Sequence, residues 1–429
     1  MSNGSTPVTL TLNALVSTLI GRFKTAGMGY YFLLLITGSL FLLGAAAGLH
    51  AMIKGHEFFY NTTREIPWGI LISTYVFFVV TSTGLCLVSS IGHVFGFQDF
   101  MPIAKRSVFL SIVTILSGFF VIAFEIKVPW RMAIYNVISP NLTSNIWWMG
   151  TLYGIYLAFM FAEFIFLNIN KHKLAVWCGF SGSVAGITAH SNLGAVFGLL
   201  MGREFWHGPF MPVYFITSAM MTGCAVIIFF HYLAFKLNNE KMDTAMERNM
   251  QVTSNLGLLL VLIITFFTVW KTLGGIAGHP PGKYEAIMAL LNGPYAINFW
   301  VFEIGMGMMI PLAAFYFSRG KNLFWMFIGS ASMIIGIFIM RYDLVVVGQI
   351  VPVYHELGVN EYKHLLHYFP SLYEIVITLS GFALSGFLFL LGEKVFDGFK
   401  VEPHHAHTPD DEITALEQVF VHFNKPGEH

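Results

Sequence analysis

The segment 68-WGILISTYVFFVVTSTGLCLVSSIGHVF-95 runs for 28 residues without one Asp, Glu, Lys or Arg. About 20 mostly apolar residues are enough for a helix to cross the hydrocarbon core of a bilayer. Nine further runs of this kind lie near 27–52, 107–126, 147–169, 174–201, 209–235, 249–271, 298–318, 322–345 and 370–396. The composition agrees: of 429 residues 56% are hydrophobic and 11% charged, against ~25% charged in ordinary soluble domains. The expected fold is an all-α integral membrane protein of about ten transmembrane helices. It divides into an N-terminal interfacial segment (1–26), a transmembrane domain (27–396) and a polar tail (397–429).

The 23 basic and 23 acidic residues cancel, which leaves no electrostatic footprint for nucleic acid. The 43 Phe and 9 Trp suit lipid-facing and interfacial positions, so membrane lipids are the expected surroundings. Cys86, Cys178 and Cys224 all fall in apolar runs, and three thiols in no CxxC spacing cannot hold an iron–sulfur cluster, which needs about four. Residues 8–20 lack the basic start and small-residue cleavage site of a secretory signal and read as an interfacial helix.

An even number of spans puts both ends of the chain on one side. Lys and Arg are denser on that side, notably in the short loops around Lys171 and Lys321, so the positive-inside rule places the termini in the cytoplasm. The opposite side carries the long connections 127–146, 272–297 and 346–369, the kind of loop that covers or binds something. A weak repeat links the second and sixth spans: Pro67, Thr83-Gly84 and His93 compare with Pro212, Thr222-Gly223 and His231. A duplicated four-helix unit would give two four-helix bundles plus two peripheral helices, although a shared small-residue packing face gives the same look.

Ionisable groups inside spans are costly and point to function. Glu125 ends the third span, Arg131 follows it, Tyr153 lies early in the fourth and His190-Ser191 lies two-thirds along the fifth. Arg203, Glu204, Trp206 and His207 close the fifth span at the same face. A carboxylate, an imidazole and a phenol between apolar walls are what a lipid-soluble quinone needs, because its carbonyls must be hydrogen-bonded and then protonated as electrons arrive. Each residue also has a plainer reading. His190 alone can be an interhelical hydrogen-bond donor, Glu125 and Arg131 an interfacial ion pair, and Trp147, Trp148 and Trp206 aromatic-belt anchors. Convergence in depth favours the site. Glu163 and Glu303, in the fourth and eighth spans, are candidate proton relays. Arg341 and Asp343 read as a compensating buried pair. His93 and His231 both end spans at the terminal side, where an interfacial role outweighs bis-histidine haem ligation. The tail histidines lack metal-site spacing, and no metal site is expected.

The pieces 62-TTREIPWGILISTYVFF-78, 125-EIKVPWR-131, 139-SPNLTS-144, 190-HSNLG-194, 206-WHGPFMPVYFITSAMMTG-223, 341-RYDLVVVGQ-349 and 370-PSLYEIVITLSG-381 occur in an order that resembles the NrfD-like membrane subunits. That family includes the polysulfide reductase membrane subunit. The likeness is strongest to its ten-span branch, found with hydrogenases, menaquinone reductase complexes and alternative complex III. The resemblance implies a haem-free quinone-binding subunit with its site near the periplasmic face, beneath an iron–sulfur partner. Glu125 falls where many relatives have Asp in a DxGRP-like turn, Arg131 on the next basic position, His190-Ser191 on the His-Ser pair and Trp206-His207 on the Trp-aromatic step. Met149 and Val196 stand where alternative complex III would have carboxylates, so the hydrogenase and quinone-reductase branch is the nearer comparison.

The chain is therefore expected to serve a respiratory oxidoreductase of the bacterial or archaeal cytoplasmic membrane. It would exchange electrons between a periplasmic iron–sulfur partner, with further catalytic or multihaem cytochrome subunits, and menaquinone or ubiquinone. Glu125 and His190 would move protons, while Arg131, Trp148, Tyr153, Ser191, Trp206 and His207 hold the ring. The rival readings are a secondary transporter, which the absence of Gly/Pro-interrupted short spans disfavours, and an anchor without chemistry.

Overall fold

A computed structural model describes residues 21–24, 26–353 and 365–396. The expected interfacial helix at 8–20 and the tail from 397, with its histidines, lie outside the described residues.

Besides short 3-10 turns at His56–Phe58 and Gln98–Ile103, the main helices of the described residues follow in order: α1 (Met28–Lys54), α2 (Ile70–His93), α3 (Ala104–Glu125), α4 (Pro129–Ile138), α5 (Asn145–Asn168), α6 (His172–Gly198), α7 (Phe210–Asn238), α8 (Thr244–Ile276), α9 (Lys283–Leu291), α10 (Asn298–Ser318), α11 (Leu323–Ile350) and α12 (Leu372–Val395). Nine of them are long and apolar enough to cross a membrane. The tenth expected span, α6, falls short in hydropathy because its inward face carries Gly179, Gly182, Ser183, Gly186, His190 and Gly194. It still crosses the same thickness: its 27 residues lie along α5 and against α2 and α7. The short helices α4 and α9 occupy two of the long connections on the face opposite the terminal one, called here the far face.

Helices α2, α3, α5 and α6 pack as one bundle, α7, α8, α10 and α11 as a second, and α1 pairs with α12 on the outside. Contacts between the bundles follow the repeat. Helix α2 meets α7, α6 meets α7, and in matching fashion α11 meets α2. The crossing of α2 and α7 is made by the repeated glycines: a Cβ on Gly84 would lie 1.9 Å from the Ala219 carbonyl oxygen, and one on Gly223 would lie 2.4 Å from Gly84 backbone. Only glycine permits this backbone approach. Both α2 and α7 run from the far face to the terminal face, so the two bundles share one orientation, as a parallel repeat about an axis along the membrane normal requires.

The first twelve residues of α10, Asn298–Met309, form a π-helix, which the sequence reading lacked. Pro311 follows and has no N–H to give to the preceding turn. One carbonyl in that turn, Met306 O, accepts the Ser332 hydroxyl of α11 at 2.8 Å. This meets the requirement that backbone polar groups within a bilayer find partners inside the protein. The spans are thus not free of Gly/Pro irregularity, although α10 stays continuous.

On the far face the loops are fastened by buried polar side chains. Gln349 grips Trp68, accepting its N–H at 3.1 Å and donating to its carbonyl at 2.8 Å. Arg203 donates to the carbonyls of Gln349, Val351 and Glu65 at 2.8–3.0 Å, and burial pushes its guanidinium below the ordinary value. Glu374 accepts the Tyr368 hydroxyl at 2.6 Å and the Asn61 N–H at 3.0 Å while closing the capping box with Ser371.

Candidate functional site

Helices α5 and α6 are antiparallel neighbours, so residues early in α5 and late in α6 share a depth. Tyr153 and His190 meet there, the Tyr153 hydroxyl lying 3.2 Å from His190 Nδ1. Both residues are fully buried, and His190 Nε2 has no hydrogen-bond partner among the described residues. A polar atom left alone in an apolar interior costs on the order of 1–3 kcal/mol, so this nitrogen is a ready point of attachment for a ligand or water.

Flat rings wall the imidazole. Phe215 lies 5.8 Å from it, centroid to centroid, and stacks on Phe197 at 5.7 Å. Phe197 leads to Trp206 at 5.1 Å, and Trp206 stacks on Trp68 at 5.5 Å. Trp206 donates its indole N–H to Leu344 O at 2.6 Å and fills the space above Gly348, where a Cβ would strike its ring. A cleft of about 180 Å³ opens beside it on the far face, lined in part by Arg203, Phe205 and Gly348. An aromatic ladder thus runs from this cleft down to His190.

Arg341 of α11 is the part that sequence reasoning missed. It is fully buried, lies over the Phe215 ring at 4.8 Å, donates to the Ser218 hydroxyl, and is within electrostatic reach of both His190 and Tyr153. It does not pair with Asp343, whose carboxylate accepts from Asn298 at 2.8 Å. Residues two apart project from different sides of a helix, and that geometry was the available signal.

The other expected site residues are placed as follows. Trp148 and Ser191 are half-buried, and Trp148 donates to Leu142 O in the α4–α5 connection at 2.9 Å. Arg131 and His207 are exposed on the far face. Glu125 is half-buried and has Glu374 as its electrostatic neighbour, which puts it on the α3–α12 side away from His190; it forms no ion pair with Arg131. Glu163 is fully buried near the terminal face and contacts Nε2 of His93. His93 therefore faces Glu163 and not His231, whose Nδ1 donates back to Ile227 O.

Between His190 and Glu163 the first bundle holds two buried polar groups, one joining α5 to α3 and α2, the other joining α6 to α2. Tyr156 bonds Ser111 at 2.7 Å and Ser82 at 3.0 Å, and Ser183 bonds Ser90 at 2.8 Å next to Cys86. The model of the family described as Polysulphide reductase, NrfD, matches residues 58–353. The chain belongs to the NrfD family. It is 24% identical to a selenate reductase subunit of Mesobacillus selenatarsenatis, over 82% of this chain and 92% of that one. It is also 24% identical to the Hdr-like menaquinol oxidoreductase integral membrane subunit of Archaeoglobus fulgidus, over 86% and 93%. Protein NrfD of Escherichia coli is 20% identical over 67% of this chain and 96% of its own. The NrfD match begins just before α2 and ends just after α11, and so takes in both bundles.

Proposed function

We propose that this NrfD-family chain is the quinone-reactive membrane subunit of an oxidoreductase complex, with the ring held at the Tyr153–His190 pair. The observation that carries the reading is a buried imidazole with one nitrogen fixed by a phenol and the other unpartnered, set against stacked Phe197 and Phe215. A quinone is a flat apolar ring with two acceptor oxygens, and this environment offers planar walls and a hydrogen-bonding group that also exchanges protons. The menaquinol oxidoreductase named among the relatives supports menaquinone as the substrate.

His190 Nε2 meets a quinone oxygen and exchanges its proton, Tyr153 fixes the imidazole by its hydrogen bond, and buried Arg341 favours electron-rich oxygen nearby. Trp206 closes the ladder above, with Ser191 and Trp148 toward its rim. Electrons pass to or from a redox partner docked on the far face, which by charge distribution is the periplasmic one; an iron–sulfur protein suits that place. Arg131 and His207, exposed there, suit contacts to that partner, and Glu125 suits proton exchange at the surface. Glu163 with His93 forms a relay at the terminal end of the polar line. The complex sits in a bacterial or archaeal cytoplasmic membrane.

The test is titration of the purified chain with a quinone analogue, followed by quenching of tryptophan fluorescence. Wild-type protein should bind at micromolar concentration, and His190→Ala should weaken binding about tenfold or more, as expected for loss of a buried hydrogen bond. Equal affinity in wild type and variant would place the ring elsewhere. No binding by folded wild type would leave an anchor without chemistry.

A further inference from the structure

The repeat equates residues as well as helices. Matching Gly84 to Gly223 sets Tyr75 of α2 against Tyr214 of α7. Matching the starts of α6 and α11 sets His190 against Arg341, Asn192 against Asp343 and Leu193 against Leu344. Glu303 lies on α10, the counterpart of the helix that carries Tyr153, and is in electrostatic reach of Arg341 and Tyr214. Matching the starts of α5 and α10 sets Tyr153 against Met306, about one turn from Glu303, so Tyr75 and His190 have their images in Tyr214 and Arg341, with Glu303 beside them in place of a phenol. The two groups adjoin, because Phe215 faces the His190 ring at 5.8 Å and the Arg341 guanidinium at 4.8 Å.

The image is more highly charged than the original and less well satisfied. Arg341 Nε and Nη1, the Tyr214 hydroxyl, Glu303 Oε1 and Asp343 Oδ2 have no hydrogen-bond partner among the described residues, although each residue is at most 2% exposed. Arg341 forms no direct ion pair with Glu303, and Lys271 forms none with Glu303 or Asp343, although both acids feel its charge. A cluster that served only to pin helices would bring opposite charges into contact. Charges held apart, with orphaned donors and acceptors between them at bilayer depth, are a site for ordered water. Lys271, near the far-face end of α8 and half-buried, sets its ammonium over the Phe205 ring at 5.2 Å and the Tyr214 ring at 6.0 Å, linking the cluster to the surface.

We propose that the second bundle carries a diverged copy of the quinone site, a hydrated chamber around Arg341, Tyr214 and Glu303 that conducts protons between His190 and the far face past Lys271. The inference rests on the quinone reading of His190. Oxidation of one quinol to quinone breaks two O–H bonds and releases two protons and two electrons. The electrons go to the redox centre of the docked partner. Each proton passes to His190 Nε2, through chamber water to the Glu303 carboxylate, and out to solvent beside Lys271. Quinone reduction runs the same path inward. The permanent charge of Arg341 makes the chamber unsuitable for an apolar ring and holds the water within it.

The full chain, in lipid with menaquinone, is taken through quinone reduction and oxidation at an electrode while infrared difference spectra are recorded. The expected result is a redox-linked carboxyl band that disappears in Glu303→Gln and returns, shifted, in Glu303→Asp, with analogue affinity unchanged within about twofold. Hydroxyl-radical labelling of the same protein should modify Tyr214 faster than Tyr30, which is also buried but bonded to Leu390 O. An unaltered band in Glu303→Gln with normal analogue binding, or labelling of Tyr214 no faster than Tyr30, overturns the chamber and leaves the quinone site intact. Failure of wild type to bind the analogue overturns the quinone reading and the outlet together.

Discussion

The Tyr153 hydroxyl and His190 Nδ1, 3.2 Å apart and both sealed from solvent, fix which imidazole nitrogen remains for a ligand. Tyr153→Phe removes the phenol and keeps the ring, so the imidazole loses its orientation while the walls persist. Quinone-analogue affinity should fall about threefold to tenfold, the worth of roughly one hydrogen bond. In the double variant with His190→Ala the losses should be less than additive, since Tyr153 acts through the imidazole. Fully additive losses in a fluorescence titration would mean that the two residues act separately.

The contact between Glu163 and His93 joins α5 to α2 in the apolar interior near the terminal face. Glu163→Ala strands the histidine and should cost about 3–5 kcal/mol, visible as a lower melting temperature in detergent. Glu163→Gln keeps a hydrogen-bonding partner and should cost less. Equal melting of all three proteins would show the contact to be dispensable.

Glycine at the α2–α7 crossing admits no side chain, since a Cβ on Gly84 falls 1.9 Å from the Ala219 oxygen. Gly84→Val should separate the bundles and abolish recovery of monodisperse protein. By contrast Gly154→Ala, on α5 with no atom within 4 Å of its Cβ, should be tolerated and slightly helix-stabilising. Size-exclusion profiles distinguish the two outcomes, and a normal profile for Gly84→Val would refute the packing argument.

Burial, helped by the nearby Asp343 carboxylate, pushes the Tyr295 phenol on the far face from 10.0 up to about 12. The unfolded chain loses that proton first, so the folded form is favoured fully below pH 10 and loses about 3 kcal/mol of stability as pH rises through 12. Melting temperature should fall over this alkaline window, and Tyr295→Phe should flatten the fall. A curve identical to wild type would assign the alkaline loss to other groups.

Much of the fold could be read from the chain because crossing a bilayer imposes long apolar runs that few other structures need. Expected spans such as 147–169 and 298–318 agree with Asn145–Asn168 and Asn298–Ser318 to within two residues at each end. Even α6, too polar on its inner face for a simple hydropathy criterion, was legible from its length and neighbours. The candidate site was legible in depth but not in azimuth. Tyr153 and His190 share a depth and face each other, whereas Arg131 and His207 share nearly the same face of the protein and point to solvent. Sequence spacing cannot show which side of a helix bundle a loop residue covers. Arg341 escaped for a related reason: it was matched to Asp343 by proximity along the chain, while its neighbours Phe215 and Ser218 come from α7. The π-helix has no apolar periodicity of its own to reveal it.

Gly84 touches Gly223, the residue that corresponds to it in the other half of the chain. A position that meets its own counterpart lies on a symmetry axis, as it would between two identical protomers. The crossing therefore has the form of an interface between two copies of one four-helix unit. Within a single chain the two halves need not be identical: one holds an imidazole where the other holds a guanidinium, which no homodimer could do one protomer at a time.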